Sequence, residues 1–160
     1  MNRVTIHDVT RANWRATLAL AVRSDQRQFV AAYTPIAAII LSKAYVGAEG
    51  MRWEPCAFSA DGALVGMAAL ASEPERPALI WLYHFFIDER SQGQGYGREA
   101  LAALISRVNR RQPPCQSLLL TAHPKNHVAQ RLYTGMGFAP TGDEREGEPV
   151  YRLALRERDE

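Results

Sequence analysis

Three glycines at alternate positions, between a predicted strand and a predicted helix, constrain the fold of this chain more than any other feature. They lie in residues 92–97, Gln-Gly-Gln-Gly-Tyr-Gly. The apolar run Leu79 to Ile87 precedes them and predicts a buried strand, and Arg98 to Arg111 has the periodicity of an amphipathic helix. Such a turn presents backbone N–H groups and the positive end of a helix dipole, so it favours a phosphate-bearing ligand.

The remaining pattern predicts the element order βααβββαβαββ, which indicates one α/β (α+β) domain over residues 1–160. Pro35 interrupts the second helical region, Asp61-Gly62 predicts a hairpin turn, and the last two strands flank a polar turn from Gly142 to Gly147. The predicted elements are a strand at 4–6, helices at 14–22 and 26–43, strands at 53–59, 64–70 and 79–88, a helix at 98–111, a strand at 116–121, a helix at 126–136, and strands from 138 and at 150–155.

Composition excludes several classes of protein. A net charge of +2 over 160 residues, with both signs mixed along the chain, argues against a nucleic-acid partner. No apolar run approaches the roughly 20 residues that a membrane span needs, and residues 1–9 lack a signal-peptide pattern. Cys56 and Cys115 are too few for a disulfide framework. We therefore expect a cytoplasmic protein that binds neither nucleic acid nor membrane.

Three kinds of phosphate site compete for the glycine turn. A P-loop requires Gly-Lys-Ser/Thr, which the chain lacks. The dinucleotide fingerprint G-x-G-x-x-A fits residues 95–100, but it requires an acid about 20 residues further on, and the next predicted strand ends Leu120-Thr121-Ala122-His123. A nucleotide-binding module therefore stays open only as a weaker alternative to the third kind, an acyl-CoA site.

A second motif supports the acyl-CoA interpretation. Residues 126–138 combine Asn126, which is predicted to be a helix N-cap, a helix that contains Leu132-Tyr133, and a final Gly137-Phe138. This motif and the glycine turn resemble, in order, the two motifs of the GNAT superfamily of N-acetyltransferases, the first of which is Gln/Arg-x-x-Gly-x-Gly/Ala. The order of elements is similar to that family along nearly the whole chain.

The resemblance implies a mixed, mainly antiparallel central sheet flanked by helices, and a direct transfer of acetyl from acetyl-CoA to a primary amine in a ternary complex. It implies no metal. The backbone of the strand before the turn would lie along the pantetheine arm, and the turn would hold the pyrophosphate. The cofactor-binding residues that the resemblance implies are Phe85, Phe86, Ile87, Gln92, Gly93, Gln94, Gly95, Tyr96, Gly97, Arg98 and Asn126.

The same resemblance makes Tyr133 the general acid that protonates the departing thiolate, although periodicity alone predicts a core residue there. The general base is open. His84 on the cofactor strand is the first candidate, and Asp25, Glu49 and Glu54 are weaker ones. His123 and His127 are separated by Pro124 and have no third partner, so no metal site is expected.

Shorter segments resemble the bacterial spermidine/spermine acetyltransferase branch. These are residues 26–31, the strand end 85–88 with the glycine turn, and Thr141-Gly142 followed by Gly147-Glu148. The acceptor could then be a polyamine or another small amine. A protein amine, an aminoglycoside, and a non-catalytic acyl-CoA sensor remain alternatives, and a monomer and a homodimer are both open.

Overall fold

A seven-stranded sheet with the strand order β1-β2-β3-β4-β5-β7-β6 organises the computed structural model, which describes residues 2–31 and 33–155. Neighbouring strands are antiparallel except for β4 and β5, which run parallel. The predicted mixed, mainly antiparallel sheet is therefore confirmed. The strands are β1 (Val4–Asp8), β2 (Arg52–Ala60), β3 (Ala63–Ser72), β4 (Leu79–Ile87), β5 (Ser117–Thr121), β6 (Ala139–Arg145) and β7 (Glu148–Ala154).

Helices pack on both faces of this sheet and divide its apolar side chains into two clusters. The helices are α1 (Trp14–Thr17), α2 (Arg27–Val30), α3 (Ile36–Val46), α4 (Tyr96–Asn109) and α5 (His127–Gly135). The apolar stripe of α4 buries Leu101 and Leu104 completely on one face, whereas α3 buries Ile40 on the other. Full burial of each such side chain contributes about 1.5–3 kcal/mol, so these two helices fix the sheet from both sides.

The predicted order of elements is correct, but the first helix is much shorter than predicted. The spacing of Trp14, Leu18 and Val22 predicts a helix over all three residues, yet α1 ends at Thr17. The chain then turns inward, because Ala21 N–H donates to Asp88 at 2.9 Å and the Ala21 carbonyl accepts from Glu89 N–H at 2.7 Å. A contact between such distant residues is invisible to local periodicity. The second helical region does break at Pro35, as predicted.

The last hairpin is also tighter than predicted. The polar turn from Gly142 to Gly147 was expected to separate two strands, but β6 continues to Arg145, and only Glu146 and Gly147 form the turn, with φ values of 52° and 80°. A register shift between Pro140 and Glu144 accommodates Gly142, whose φ is 88°, inside the strand. A bulge thus absorbs the glycine that the sequence pattern assigns to a loop.

A second bulge bends β4 at the centre of the sheet. Ala69 pairs with Tyr83 and Met67 pairs with Phe86, so β4 contains one extra residue between these pairs. His84 lies in this interval and has a φ of 53°, an uncommon value for a non-glycine residue. Gly66 on β3 permits the bend, since a Cβ atom there would lie 2.3 Å from the Phe86 carbonyl oxygen.

We expect Gly66→Ala to destabilise the protein by about 1–3 kcal/mol, because the new methyl group would meet backbone that cannot rotate away. Urea unfolding measures the change. Gly97→Ala is the matched control: its Cβ would make only ordinary contacts at 3.7 Å or more, and alanine favours the helix by roughly 0.5–1 kcal/mol. A Gly66→Ala protein as stable as Gly97→Ala would contradict the close approach.

Candidate functional site

The two parallel strands separate at the middle of the sheet and leave a cleft between them. β4 and β5 pair only from Leu79 to Trp81 and from Ser117 to Leu119. Beyond those pairs, no described strand bonds to the edge of β4 that faces β5. The bulge at His84 bends β4 at this point. A cleft of about 590 Å³ opens here, and the glycine turn lies at one end of it.

The structure brings together most of the residues that the sequence predicts for the site. Gln94 and Arg98 are the exceptions, since neither lines the cleft. Gln94 belongs to the back of the turn, where its carbonyl accepts a hydrogen bond from Arg3 at 2.6 Å. The predicted residues that do line the cleft are His84, Phe85, Phe86, Ile87, Gln92, Gly93, Gly95, Tyr96, Gly97, Asn126 and Tyr133.

The glycine turn exposes the start of α4 to the cleft. Gly93 and Gly95 have φ values of 77° and 84°, which glycine adopts without strain. Gly95 precedes the first helical residue, and no side chain in the described part of the chain caps the helix there. The first-turn N–H groups of α4 have no intrahelical acceptor, so they and the helix dipole make this end of the cleft suitable for an anion.

Side chains behind the turn hold it in place. Arg3 forms an ion pair with Glu99 at 3.0 Å and stacks 4.7 Å above the Tyr96 ring. On the cleft side, the amides of Gln92 and Gln26 exchange hydrogen bonds of 2.9 and 3.2 Å, and Gln92 also donates to the Ile87 carbonyl at 3.0 Å. The Gln92 side chain is therefore committed to the protein, which leaves its backbone to face a ligand.

Asp88 joins the end of β4 to the segment after α1, a role that no sequence pattern indicates. Its carboxylate is 2% exposed and accepts hydrogen bonds from Ala21 N–H, Arg90 N–H and the Arg90 guanidinium. Burial opposes ionisation, but these hydrogen bonds outweigh it and keep the pKa of Asp88 below its usual value. Asp88 thus fixes the loop between β4 and α4 as a charged, buried tether.

Tyr133 on α5 lines the cleft with a phenol that the protein leaves unpaired. The residue is 7% exposed and packs against Phe138, with ring centroids 5.8 Å apart. Among the described residues, nothing hydrogen-bonds its hydroxyl. Burial, and to a lesser extent the charge of Glu148, raises the pKa of Tyr133, so the phenol stays protonated at neutral pH. A core tyrosine of this burial normally has a hydrogen-bond partner.

Asn126 begins α5 at the rim of the cleft. Its side-chain oxygen accepts a hydrogen bond from Ala129 N–H at 3.3 Å, so the predicted N-cap is confirmed. Asn126 also lines the cleft, as Tyr133 does.

His84 is held by two elements on the α3 side of the sheet. Its Nδ1–H donates to the Val30 carbonyl at 2.7 Å, and its Nε2 accepts from the Lys43 ammonium at 2.9 Å. Burial lowers the pKa of His84; the bond to Val30 opposes this, and the Lys43 charge adds to it. The imidazole is therefore neutral, with its single lone pair directed at Lys43.

This lowered pKa makes the stability of the fold depend on pH. The unfolded chain binds a proton at His84 near pH 6.5, whereas the folded protein, with its lowered pKa, binds it only at lower pH, so stability falls as the pH drops below about 6.5. We expect His84→Asn, whose side chain tolerates the left-handed backbone, to flatten this slope between pH 7 and pH 5 in urea unfolding. An unchanged slope would contradict the neutral imidazole.

The other end of the cleft lies between the α2 region and β5. Phe29 of α2 contacts His123 with ring centroids 5.0 Å apart, and Asp25 lines the cleft close to Arg23, at 3.6 Å. Glu54, a weaker candidate for the base, is engaged elsewhere in an ion pair with Arg111. Asp25 is the one acid that lines this cleft among the described residues.

In residues 2–31 and 33–155, no three His, Cys, Asp or Glu side chains come together as a metal site. None of the helices in that part of the chain is long and apolar enough to cross a membrane.

Comparison with known proteins relates the whole arrangement to one family. Residues 26–138 match the model of the acetyltransferase (GNAT) family. The chain is 32% identical over 145 residues to the spermine/spermidine N(1)-acetyltransferase of Bacillus subtilis (strain 168), covering 88% of this chain and 90% of that protein.

Solved structures share the fold at lower identity. An acetyltransferase from Salmonella typhimurium that modifies the N-terminal serine of ribosomal protein L7/L12 aligns with a TM-score of 0.74 and 15% identity, covering 98% of this chain and 97% of that one. The spermidine N-acetyltransferase from Vibrio cholerae in complex with CoA and spermine aligns with a TM-score of 0.71 and 15% identity, covering 95% and 94%.

Proposed function

Because the chain belongs to the GNAT family of acetyltransferases, we propose that its cleft holds acetyl-CoA and an amine together and passes the acetyl group directly between them. The protein is an acetyl-CoA-dependent N-acetyltransferase, as its family and its relatives show. One observation carries the proposal for the site. At one end, the cleft between β4 and β5 has a helix N-terminus that no described side chain caps, and on its wall it has the Tyr133 hydroxyl, which has no hydrogen-bond partner among the described residues.

The residues present fit the two polar parts of acetyl-CoA. The backbone N–H groups from Gly93 to Gly97 bind the pyrophosphate at the start of α4. The edge of β4 from Phe85 to Ile87, which no described strand covers, binds the pantetheine arm, and Asn126 contacts it from the opposite wall. The side chains of Gln94 and Arg98 lie outside the cleft lining, so we assign them no contact with acetyl-CoA.

The chemistry follows from these positions. The amine nitrogen attacks the thioester carbonyl, a C–N bond forms, and the C–S bond breaks. A backbone N–H near Ile87 stabilises the negative charge on the carbonyl oxygen. Tyr133 donates its proton to the departing thiolate, a role for which a phenol that stays protonated at neutral pH is suited.

The proton that the amine loses needs an acceptor, because an alkylamine has a pKa of about 10.4 and is charged in solution. We propose His84, the titratable side chain at the bend of β4. Its one lone pair is on Nε2 and accepts the hydrogen bond from Lys43, so it can accept this proton only after that hydrogen bond breaks. Lys43, which the sequence pattern did not single out, therefore controls the availability of the base.

A polyamine or other small amine is the acceptor that we propose. The named activities of the Bacillus subtilis and Vibrio cholerae relatives support it, whereas that of the Salmonella relative supports a protein N-terminus as the second candidate. A cytoplasmic location and a single domain over residues 1–160 stay predictions.

A thiol-release assay with acetyl-CoA over a panel of amines tests the proposal. The panel contains spermidine, spermine, a monoamine, lysine, an N-terminal serine peptide and an aminoglycoside. We expect the highest kcat/KM with the polyamines. Thiol release with the peptide alone would indicate that the acceptor is a protein N-terminus. Binding of acetyl-CoA without thiol release for any amine would indicate a non-catalytic sensor.

A further inference from the structure

Three aromatic rings contact one another in a row on the α3 side of the sheet, where Trp53 is buried and Tyr83 and Trp81 are partly buried. Trp53 of β2 and Tyr83 of β4 have ring centroids 5.1 Å apart, and Tyr83 stacks on Trp81 at 6.1 Å. The Trp53 indole is fixed by a hydrogen bond to the Ala48 carbonyl at 2.9 Å. We call Trp53, Tyr83 and Trp81 the aromatic platform.

Two cations of the chain itself lie on this platform. Lys43 Nζ is 4.9 Å from the centroid of Trp53 and 5.6 Å from that of Tyr83. The Arg145 guanidinium, which comes from the β6–β7 hairpin, is 4.5 Å from Trp81 and 5.9 Å from Tyr83. The platform therefore already attracts positive charge at two neighbouring positions.

The surroundings favour cations further. Glu49, Glu146 and Glu73 are the acids whose charges act on Tyr83, and Glu49 lies 3.6 Å from Arg145. The Tyr83 hydroxyl is buried and has no hydrogen-bond partner among the described residues. The platform thus combines ring faces and negative charge, which together suit an ammonium group.

The platform is adjacent to the cleft. Lys43 contacts both Trp53 and His84, and His84 lines the cleft. From His84, the rings of Tyr83 and Trp81 follow β4 toward the β6–β7 hairpin. An extended acceptor whose reacting amine lies beside His84 would pass over the platform.

We propose that the aromatic platform binds the second ammonium group of a diamine or polyamine acceptor, and that Arg145 occupies this position as an exchangeable cation until the acceptor arrives. This inference rests on the proposed function and names the feature that selects its substrate class. The incoming ammonium replaces the guanidinium over Trp81 and Tyr83 and gains Glu49 as its counter-ion. Exchange is feasible because the Arg145 side chain keeps 32% of its surface exposed, and cation–π contacts and ion pairs in contact with water are weak. A monoamine has no group to reach the platform.

Arg145→Gln gives the sharpest test, since it removes the competing cation without touching the cleft. We expect the KM for spermidine to fall by about two- to tenfold and the KM for butylamine to stay unchanged, both from initial rates of thiol release. Arg76→Gln is the matched control, because it also removes one positive charge. Arg76 forms an ion pair with Glu73 but does not lie over the rings, as Arg145 does. A spermidine KM that rises or stays the same, or an equal fall in Arg76→Gln, would overturn the proposal.

Trp81→Leu should have the opposite effect on the KM for spermidine, because it removes one ring of the aromatic platform. We expect it to raise the KM for spermidine several-fold with little effect on butylamine, and we expect Trp81→Phe to restore part of the loss. Equal effects on both amines would indicate a structural role and contradict the platform. Failure of the proposed acceptor class looks different, because the wild-type protein would then bind acetyl-CoA and acetylate neither amine.

Discussion

Gly93→Asp is expected to weaken acetyl-CoA binding by about a hundredfold or more without unfolding the protein. The new carboxylate would lie where we place the pyrophosphate. Two like charges about 4 Å apart repel by about 4 kcal/mol near a protein surface, and each 1.4 kcal/mol is tenfold in affinity. The substitution also has room, since nothing lies within 4 Å of a Cβ atom at Gly93. Titration calorimetry with acetyl-CoA measures the loss.

The β2–β3 hairpin offers a closely matched control. Gly62 has the same φ of 77° as Gly93 and the same open surroundings, so Gly62→Asp introduces the same charge and the same backbone strain away from the cleft. Both variants should lose similar stability in urea, whereas Gly62→Asp should bind acetyl-CoA as the wild type does. If Gly93→Asp retains the wild-type affinity for acetyl-CoA, the glycine turn is not part of the cofactor site.

Tyr133→Phe is expected to lower kcat by about a hundredfold, with little change in acetyl-CoA affinity or in stability. Removal of a positioned general acid typically costs 10²–10⁴-fold. The stability of the fold should not change, because the hydroxyl has no hydrogen-bond partner among the described residues and the ring keeps its contact with Phe138. Steady-state rates measure kcat, titration calorimetry measures the affinity for acetyl-CoA, and urea unfolding measures stability.

Tyr151 of β7 provides the comparison for this variant. It is 8% exposed, close to the 7% of Tyr133, but it does not line the cleft. Tyr151→Phe should keep the wild-type kcat. If Tyr133→Phe also keeps it, Tyr133 is a core residue, as its periodicity alone predicts.

Local patterns account for the parts of the fold and site that the sequence predicts correctly. The Asp61-Gly62 turn, the Asn126 cap and the order of strands depend on residues that are close in the chain. The positions of Gly93 and Gly95 at positive φ follow from glycine content in the same way. The two motifs then suffice to identify the family, because two motifs in a fixed order are much more specific than either motif alone.

Contacts between distant residues account for what sequence patterns could not predict. The bond from Ala21 to Asp88 ends α1 early, and the carbonyl of Phe86 makes Gly66 necessary. The hydrogen bond between Lys43 and His84 joins helix α3 to the bend of β4. An exposed-looking lysine at helical spacing carries no pattern that indicates such a partner, so the constraint on the base appears only in three dimensions.

A crystal structure of the protein with acetyl-CoA, or with CoA and a polyamine, decides where the cofactor binds. We expect the pyrophosphate to contact the backbone N–H groups between Gly93 and Gly97. We also expect the pantetheine arm to follow the edge of β4 between the separated strands and the Tyr133 hydroxyl to lie within hydrogen-bond distance of the sulfur. A cofactor bound outside the cleft between β4 and β5, or a sulfur beyond the reach of Tyr133, would contradict the proposed site.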